Sequence, residues 1–117
     1  MATDEIFDSC VRTAGDRAGV FEYDGQTGYF YLYETAKHHG EKVVDSIHVL
    51  SGEPDFAETD VSVRWDCDEE KVGLFIRQTL WAVFDIARRA KYGGGYKAGA
   101  KPPLPSQATI GFGPPPS

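Results

Sequence analysis

The chain of 117 residues predicts a mainly β domain of six or seven antiparallel strands, arranged as a single sheet or as a small barrel or sandwich. An α+β fold is the alternative, and there is room for a short N-terminal helix. Three observations carry this prediction. Hydrophobic residues alternate with a period of two from Gly19 to Tyr92, as pleated backbone requires. Short polar clusters rich in Gly and Asp interrupt that rhythm at hairpin spacing. Finally, six of the seven prolines lie beyond residue 92, where they would break any ladder. The domain is therefore read as residues 1–92 and the Gly/Pro-rich C-terminal tail as 93–117.

The elements run in order along the chain. Ile6, Cys10, Val11 and Ala14 stand at helical spacing behind a Thr3 cap and ahead of Gly15, the pattern of a short helix; a strand-like start is the competing reading. "GVFEYDGQTGYFYLYET" holds two aromatic runs around Asp24–Gly28, a hairpin with a loop of four or five residues. "AKHHGEK" is the next turn. "VVDSIHVL" reads as a strand with Val43, Ile47 and Val49 on one face and Val44, His48 and Leu50 on the other. "DVSVRWD", "KVGLFIR" and "LWAVFDI" with the adjoining "ARRAKY" complete an antiparallel meander, with "DCDEE" as a tight acidic turn. Trp65 and Trp81 are assigned to the core. Gly93–Gly95 ends the last strand, and "ATIGF" is the one part of the tail suited to dock, as an edge strand or a clasp.

Composition excludes several functions. The net charge of −6 conceals an asymmetry: residues 1–86 hold all 18 acidic groups and seven basic ones, whereas residues 87–117 hold five basic groups and no acid. An acidic body repels phosphate, so nucleic acid is not an expected partner. No window has the roughly 18 apolar residues of a membrane helix, so no membrane is expected either. The acidic "MATDEIFDSC" start lacks the features of a secretory signal, and the cytoplasm is the expected compartment. Cys10 and Cys67 are expected as thiols there.

The candidate sites rest on side-chain chemistry. Tyr29, Tyr31 and Tyr33 must share one face of a strand, with Phe30 and Leu32 on the other. A tyrosine face lies against something amphipathic: a layer built by the chain's own terminal segments, a partner protein, or a ligand that stacks on rings. The adjacent His38 and His39 diverge, and His48 stands on a strand, so no metal site is expected. Ser9, Ser46, Ser51 and Ser62 sit in no nucleophile motif, and four carboxylates around Cys67 disfavour its thiolate. "DCDEE" lacks the spacing and the internal glycine of a calcium loop. The triple glycine has no helix-opening phosphate motif after it, though Arg88, Arg89 and Lys91 beside it leave an anion contact as a candidate. Asp85 interrupts an apolar row with Trp81 and Val83, and Arg64 or Arg77 is expected to pair with it.

Together, "FEYDGQTGYFYLYE", "VVDSIHVL", "VSVRWDCDEEKVGLFIRQTLWAVFDI" and "RRAKY" resemble a small family of bacterial proteins known only as a domain of unknown function. The shared pattern is an Asp-Gly…Thr-Gly-Tyr-Phe-Tyr hairpin, an Asp…Ile-His strand, a Trp before an acidic turn and a final Ala-Val-Phe-Asp, covering about residues 19–92. The resemblance implies a shared fold and a bacterial source, and no activity, cofactor or catalytic residue. The expected function is a non-catalytic protein-interaction module, binding another protein or itself through Tyr29, Tyr31, Tyr33, His48 and Asp85. The alternative is a small-molecule or enzymatic pocket lined by the same tyrosines, with His48 and Asp85 converging on the ligand.

Overall fold

A computed structural model describes residues 5–35, 43–97, 99–102 and 104–112. It contains two four-stranded antiparallel sheets. The first is formed by β1 (Ile6–Val11), β2 (Arg17–Tyr23), β3 (Thr27–Glu34) and β4 (Val43–Ser51), and the second by β5 (Val61–Trp65), β6 (Lys71–Ile76), β7 (Thr79–Asp85) and β8 (Ala90–Gly93). Neighbours in sequence are neighbours in each sheet, so both are simple meanders. The helical content described is a single 3-10 turn at Glu58–Asp60 and the short α1 (Ser106–Thr109). Mainly β architecture holds as expected. The strand number is eight, not six or seven, and two sheets replace the single one; among the described residues they do not close into a barrel.

The sheets meet face to face across one core. Phe21, Phe30, Val49, Val72, Leu74 and Phe84 are essentially inaccessible and belong to one cluster drawn from both sheets. The Phe30 and Phe84 rings lie 5.1 Å apart across the interface. Gly19 allows the close approach of β2 to β6: a Cβ there would stand 2.5 Å from Cγ2 of Val72. On one side the sheets are stitched by side chains. The Val63 N–H donates to Asp8 Oδ2 (2.8 Å) and the Trp65 indole N–H to the Cys10 carbonyl (2.9 Å).

The N-terminal helix is replaced by β1. Its residues alternate, with Ile6, Asp8 and Cys10 facing Tyr23, Phe21 and Gly19 of β2 on the core side. The helical spacing of apolar residues loses because a strand satisfies its backbone against β2 and places the Asp8 carboxylate where a β5 amide needs an acceptor.

Two further assignments shift because of β-bulges, which add a residue to one strand and rotate the downstream side chains to the other face. In β7, Leu80 pairs with Phe75 and Ala82 with Leu74, leaving Trp81 unpaired between them. Trp81 therefore turns into the core with Ala82 and Phe84, while Val83 and Asp85 face outward. Asp85 does not share a face with Trp81. In β4 the pairing skips Val49, so Val49 and Leu50 are both buried, and it skips Val44, so Val43 leaves the face of Ile47 and Val49 and joins His48 on the outer one.

The tail docks as a clasp that first closes the core between β8 and β4 and then reaches the outward face of the second sheet. Three successive amides turn the chain from β8 toward β4: Gly94 donates to the Trp81 carbonyl (2.9 Å), Gly95 to His48 (3.2 Å) and Tyr96 to Val49 (2.6 Å). The Tyr96 ring lodges between Trp81 (4.7 Å) and Phe56 (5.1 Å). Ala108 of α1 is fully buried, Cys67 N–H donates to the Gly111 carbonyl (3.0 Å), the Lys71 ammonium to that of Ile110, and Phe112 meets Phe75 at 5.5 Å. "ATIGF" thus docks through a helical turn, not as an edge strand.

One local strain invites repair. Arg77 and Gln78 form the two-residue β6–β7 turn with φ of 52° and 68°, the type I′ geometry that normally takes Asn-Gly. A side chain in that region costs roughly 1 kcal/mol, so Gln78→Gly is expected to raise unfolding free energy by about 0.5–1 kcal/mol in urea titration. No gain, or a loss, would mean that the Gln78 side chain makes a compensating contact.

Candidate functional site

The register of the first sheet arranges its outward residues as a grid of three rows crossing four strands. One row is Phe7–Glu22–Tyr29–His48, the next Ser9–Val20–Tyr31–Ser46, the third Val11–Ala18–Tyr33–Val43. The three tyrosines run down its centre on β3. Tyr29 and Tyr31 stack with centroids 5.8 Å apart, Tyr31 and Tyr33 meet edge to face at 6.3 Å, and His48 stands edge-on to Tyr29 at 5.3 Å. Ala18 and Val20 are only 4% and 5% exposed because the larger side chains on either side close over them. Phe7 and Val11 at the β1 edge remain 52% and 54% exposed.

Among the described residues nothing covers this grid. The layer expected from the chain's own tail lies over the other sheet instead. The phenols also differ from Tyr23 and Tyr96 in their hydrogen bonding. Tyr23 donates to the Gly52 carbonyl (2.8 Å) and Tyr96 to Asp55 (2.6 Å); among the described residues the hydroxyls of Tyr29, Tyr31 and Tyr33 have no partner. Burial by its neighbours raises the Tyr31 pKa above its ordinary value, helped by the negative charge of Glu22 and the flanking phenols. It is therefore a protonated donor at neutral pH. Glu22 is exposed and, among the described residues, unpaired.

Asp85 is elsewhere. It faces outward from β7, 3% exposed, where its carboxylate accepts the Arg88 N–H (3.1 Å) and lies 3.8 Å from the Arg88 guanidinium. The expected cross-strand pairing with Arg64 or Arg77 does not occur. Arg64 instead lies 4.0 Å over the Phe75 ring, and Arg77 engages Asp55 and Asp60. The reason is the tight turn after Ile86, which brings the local Arg88 closer to Asp85 than either distant arginine. With the core between the two outward faces, the structure does not bring Asp85 to His48 or to the tyrosines.

The three basic candidates separate likewise. Arg88 serves Asp85. Lys91 reaches from β8 to β4, donating to Asp45 Oδ1 (2.9 Å) and to the Ser46 carbonyl (3.0 Å); burial works against the Asp45 carboxylate, yet this ammonium and the Ser46 amide hold its pKa below the usual range. Arg89, at a φ of 53°, lines a cleft of about 290 Å³ with Arg17, Leu32, Phe84 and Asp85. Cys10 and Cys67 are both free thiols, and burial raises the Cys10 pKa. His38 and His39 lie outside the described residues. Among those that are described, no three metal-ligating side chains converge, and no helix is long and apolar enough to cross a membrane.

Sequence reasoning found the central column of the grid and missed its β1 edge. The signal was present in "IFDSCV", where Phe7, Ser9 and Val11 alternate with Ile6, Asp8 and Cys10, but the helical reading masked it.

Comparison with known proteins finds a family for the chain. Residues 2–107 match the model of a family described as an uncharacterised protein conserved in bacteria, DUF2251. The chain is also 29% identical over 99 residues to an uncharacterised protein of Haemophilus influenzae, a match that covers 76% of this chain and 61% of the relative's length. The chain therefore spans less than two thirds of that curated relative. No solved structure matches it. The chain belongs to the DUF2251 family.

Proposed function

We propose that this member of a bacterial family is a non-catalytic protein-interaction module, and that the outward face of β1–β4 is its contact surface. One observation carries the reading: an aromatic column whose three hydroxyls have no partner among the described residues stands at the centre of a half-apolar grid that no described segment covers. Single exposed apolar residues need no explanation, but a contiguous patch of them does. Tyrosine is also enriched at protein interfaces, where its ring supplies contact area and its hydroxyl a hydrogen bond. In this reading residues 1–92 are the binding domain, and the described part of the segment 93–117 is the clasp that stiffens the opposite sheet.

The test uses the immobilised full chain in a lysate of its bacterial host, with Tyr31→Glu as the comparison. Tyr31 points outward, so the variant should keep its melting temperature within a few degrees. The expected result is one or more proteins retained by the wild type and reduced at least about tenfold by the charge placed mid-patch. Identical retention by both would remove the tyrosine face as the contact surface.

A further inference from the structure

We infer that the segment received by the tyrosine face is a proline-rich stretch of a partner protein, held in polyproline II conformation and carrying a lysine or arginine. This class of partner presupposes the interaction face described above.

Three features select it. The first is hydrogen-bonding capacity. The column offers three donors, the hydroxyls of Tyr29, Tyr31 and Tyr33, unpartnered among the described residues. A helix or a paired strand arrives with its backbone carbonyls already occupied, whereas every carbonyl of a polyproline II segment is free and prolines bring no competing amide donor. Such a segment needs donors, and this surface presents them in a line. The second is the row of rings itself. Three phenols in line, with successive centroids 5.8 and 6.3 Å apart, make an aromatic track longer than one three-residue polyproline II turn, which advances about 9.3 Å. Proline-rich segments dock on aromatic-lined surfaces of this kind.

The third feature is size and charge. Four strands spaced by about 4.8 Å and three rows spaced by about 6.7 Å make a platform of roughly 400 Å². A stable dimer or folded partner needs about 800 Å² per side, so a second copy of the chain is a poor fit and an extended peptide a good one. The grid's one unpaired charge among the described residues is the Glu22 carboxylate, next to Tyr29 across the strand pair. It calls for a cation on the ligand, and it disfavours a second copy of a chain whose net charge is −6.

The experiment titrates isotope-labelled full-length protein with a synthetic peptide of Pro-Pro-Lys repeats, following amide shifts by NMR and affinity by calorimetry. Peptides of Pro-Pro-Glu repeats and of helical Ala-Lys repeats are the controls. Shifts confined to the outward positions of β2 and β3 are expected, with the lysine peptide binding at least about tenfold more tightly than either control. Removing all three hydroxyls (Tyr29→Phe, Tyr31→Phe and Tyr33→Phe together) keeps the rings and the fold, and should weaken binding by roughly tenfold or more. Glu22→Lys should weaken it and flatten its salt dependence. Absence of binding, shifts on other faces, an unaffected triple-Phe variant, equal binding of the helical peptide, or a concentration-dependent dimer that the peptide does not dissociate each overturns the proline-rich assignment. If the lysate experiment still yields a protein lost on Tyr31→Glu, the interaction face stands and only the ligand class is wrong; if it yields none, both fall.

Discussion

Gly93→Ala should destabilise the protein by about 3 kcal/mol or more, on the sum of a left-handed backbone penalty, a steric collision and a strained hydrogen bond. Gly93 has a φ of 88°, which side-chain-bearing residues adopt only at a cost. A Cβ added there would stand 2.1 Å from the Trp81 carbonyl oxygen and 2.9 Å from Cδ2 of Leu104. That oxygen belongs to rigid β7 backbone and is the acceptor for Gly94 N–H, so it cannot retreat without breaking the first of the three amide contacts that lead the chain to β4. The collision is therefore transmitted to Tyr96, whose ring is seated on Trp81. Urea unfolding followed by tryptophan fluorescence reads the loss directly. A change below about 1 kcal/mol would show that the β8 turn is not what holds the clasp in place.

The second large effect lies in the core. Phe84 is 1% exposed and forms the aromatic contact with Phe30 that joins one sheet to the other. Phe84→Ala removes the ring and leaves a cavity between two sheets whose backbones are each held by four-strand ladders and so collapse poorly. The expected loss is about 3–5 kcal/mol, a large part of the roughly 5–15 kcal/mol available to a domain of this kind. Phe84→Leu fills most of the space and should lose about 1–2 kcal/mol. The pair is informative as a ratio measured by the same urea titration. Losses below about 1 kcal/mol for both variants would show that the Phe84 ring does not hold the two sheets together.

Much of the architecture was legible because strand periodicity is local. Val61, Val63 and the alternating Ser62 and Arg64 announce β5, and Asp24–Gly28 announces the β2–β3 turn, where the Asp24 carboxylate accepts the amides of Gln26 (2.9 Å) and Thr27 (2.8 Å). The shared face of Tyr29, Tyr31 and Tyr33 comes from the same rhythm. Other features were set by distant parts of the chain. The β7 bulge leaves no mark in composition, yet it sends Trp81 inward and Asp85 outward. The conflict at Ile6–Val11 between helical spacing and strand alternation was decided by Asp8 and Cys10 meeting Val63 and Trp65 of β5, contacts more than fifty residues away in sequence.

The order of apolar and polar residues thus determined, unaided, that this chain is pleated and that three phenols line one side of a strand, since both depend only on the alternation of neighbouring Cβ atoms. Tertiary structure alone decided which sheet face the described part of the tail would cover. That choice rests on long-range fit: Phe112 finds Phe75, and Lys71 finds the Ile110 carbonyl, on the second sheet, so the clasp is used there and not on the tyrosine column.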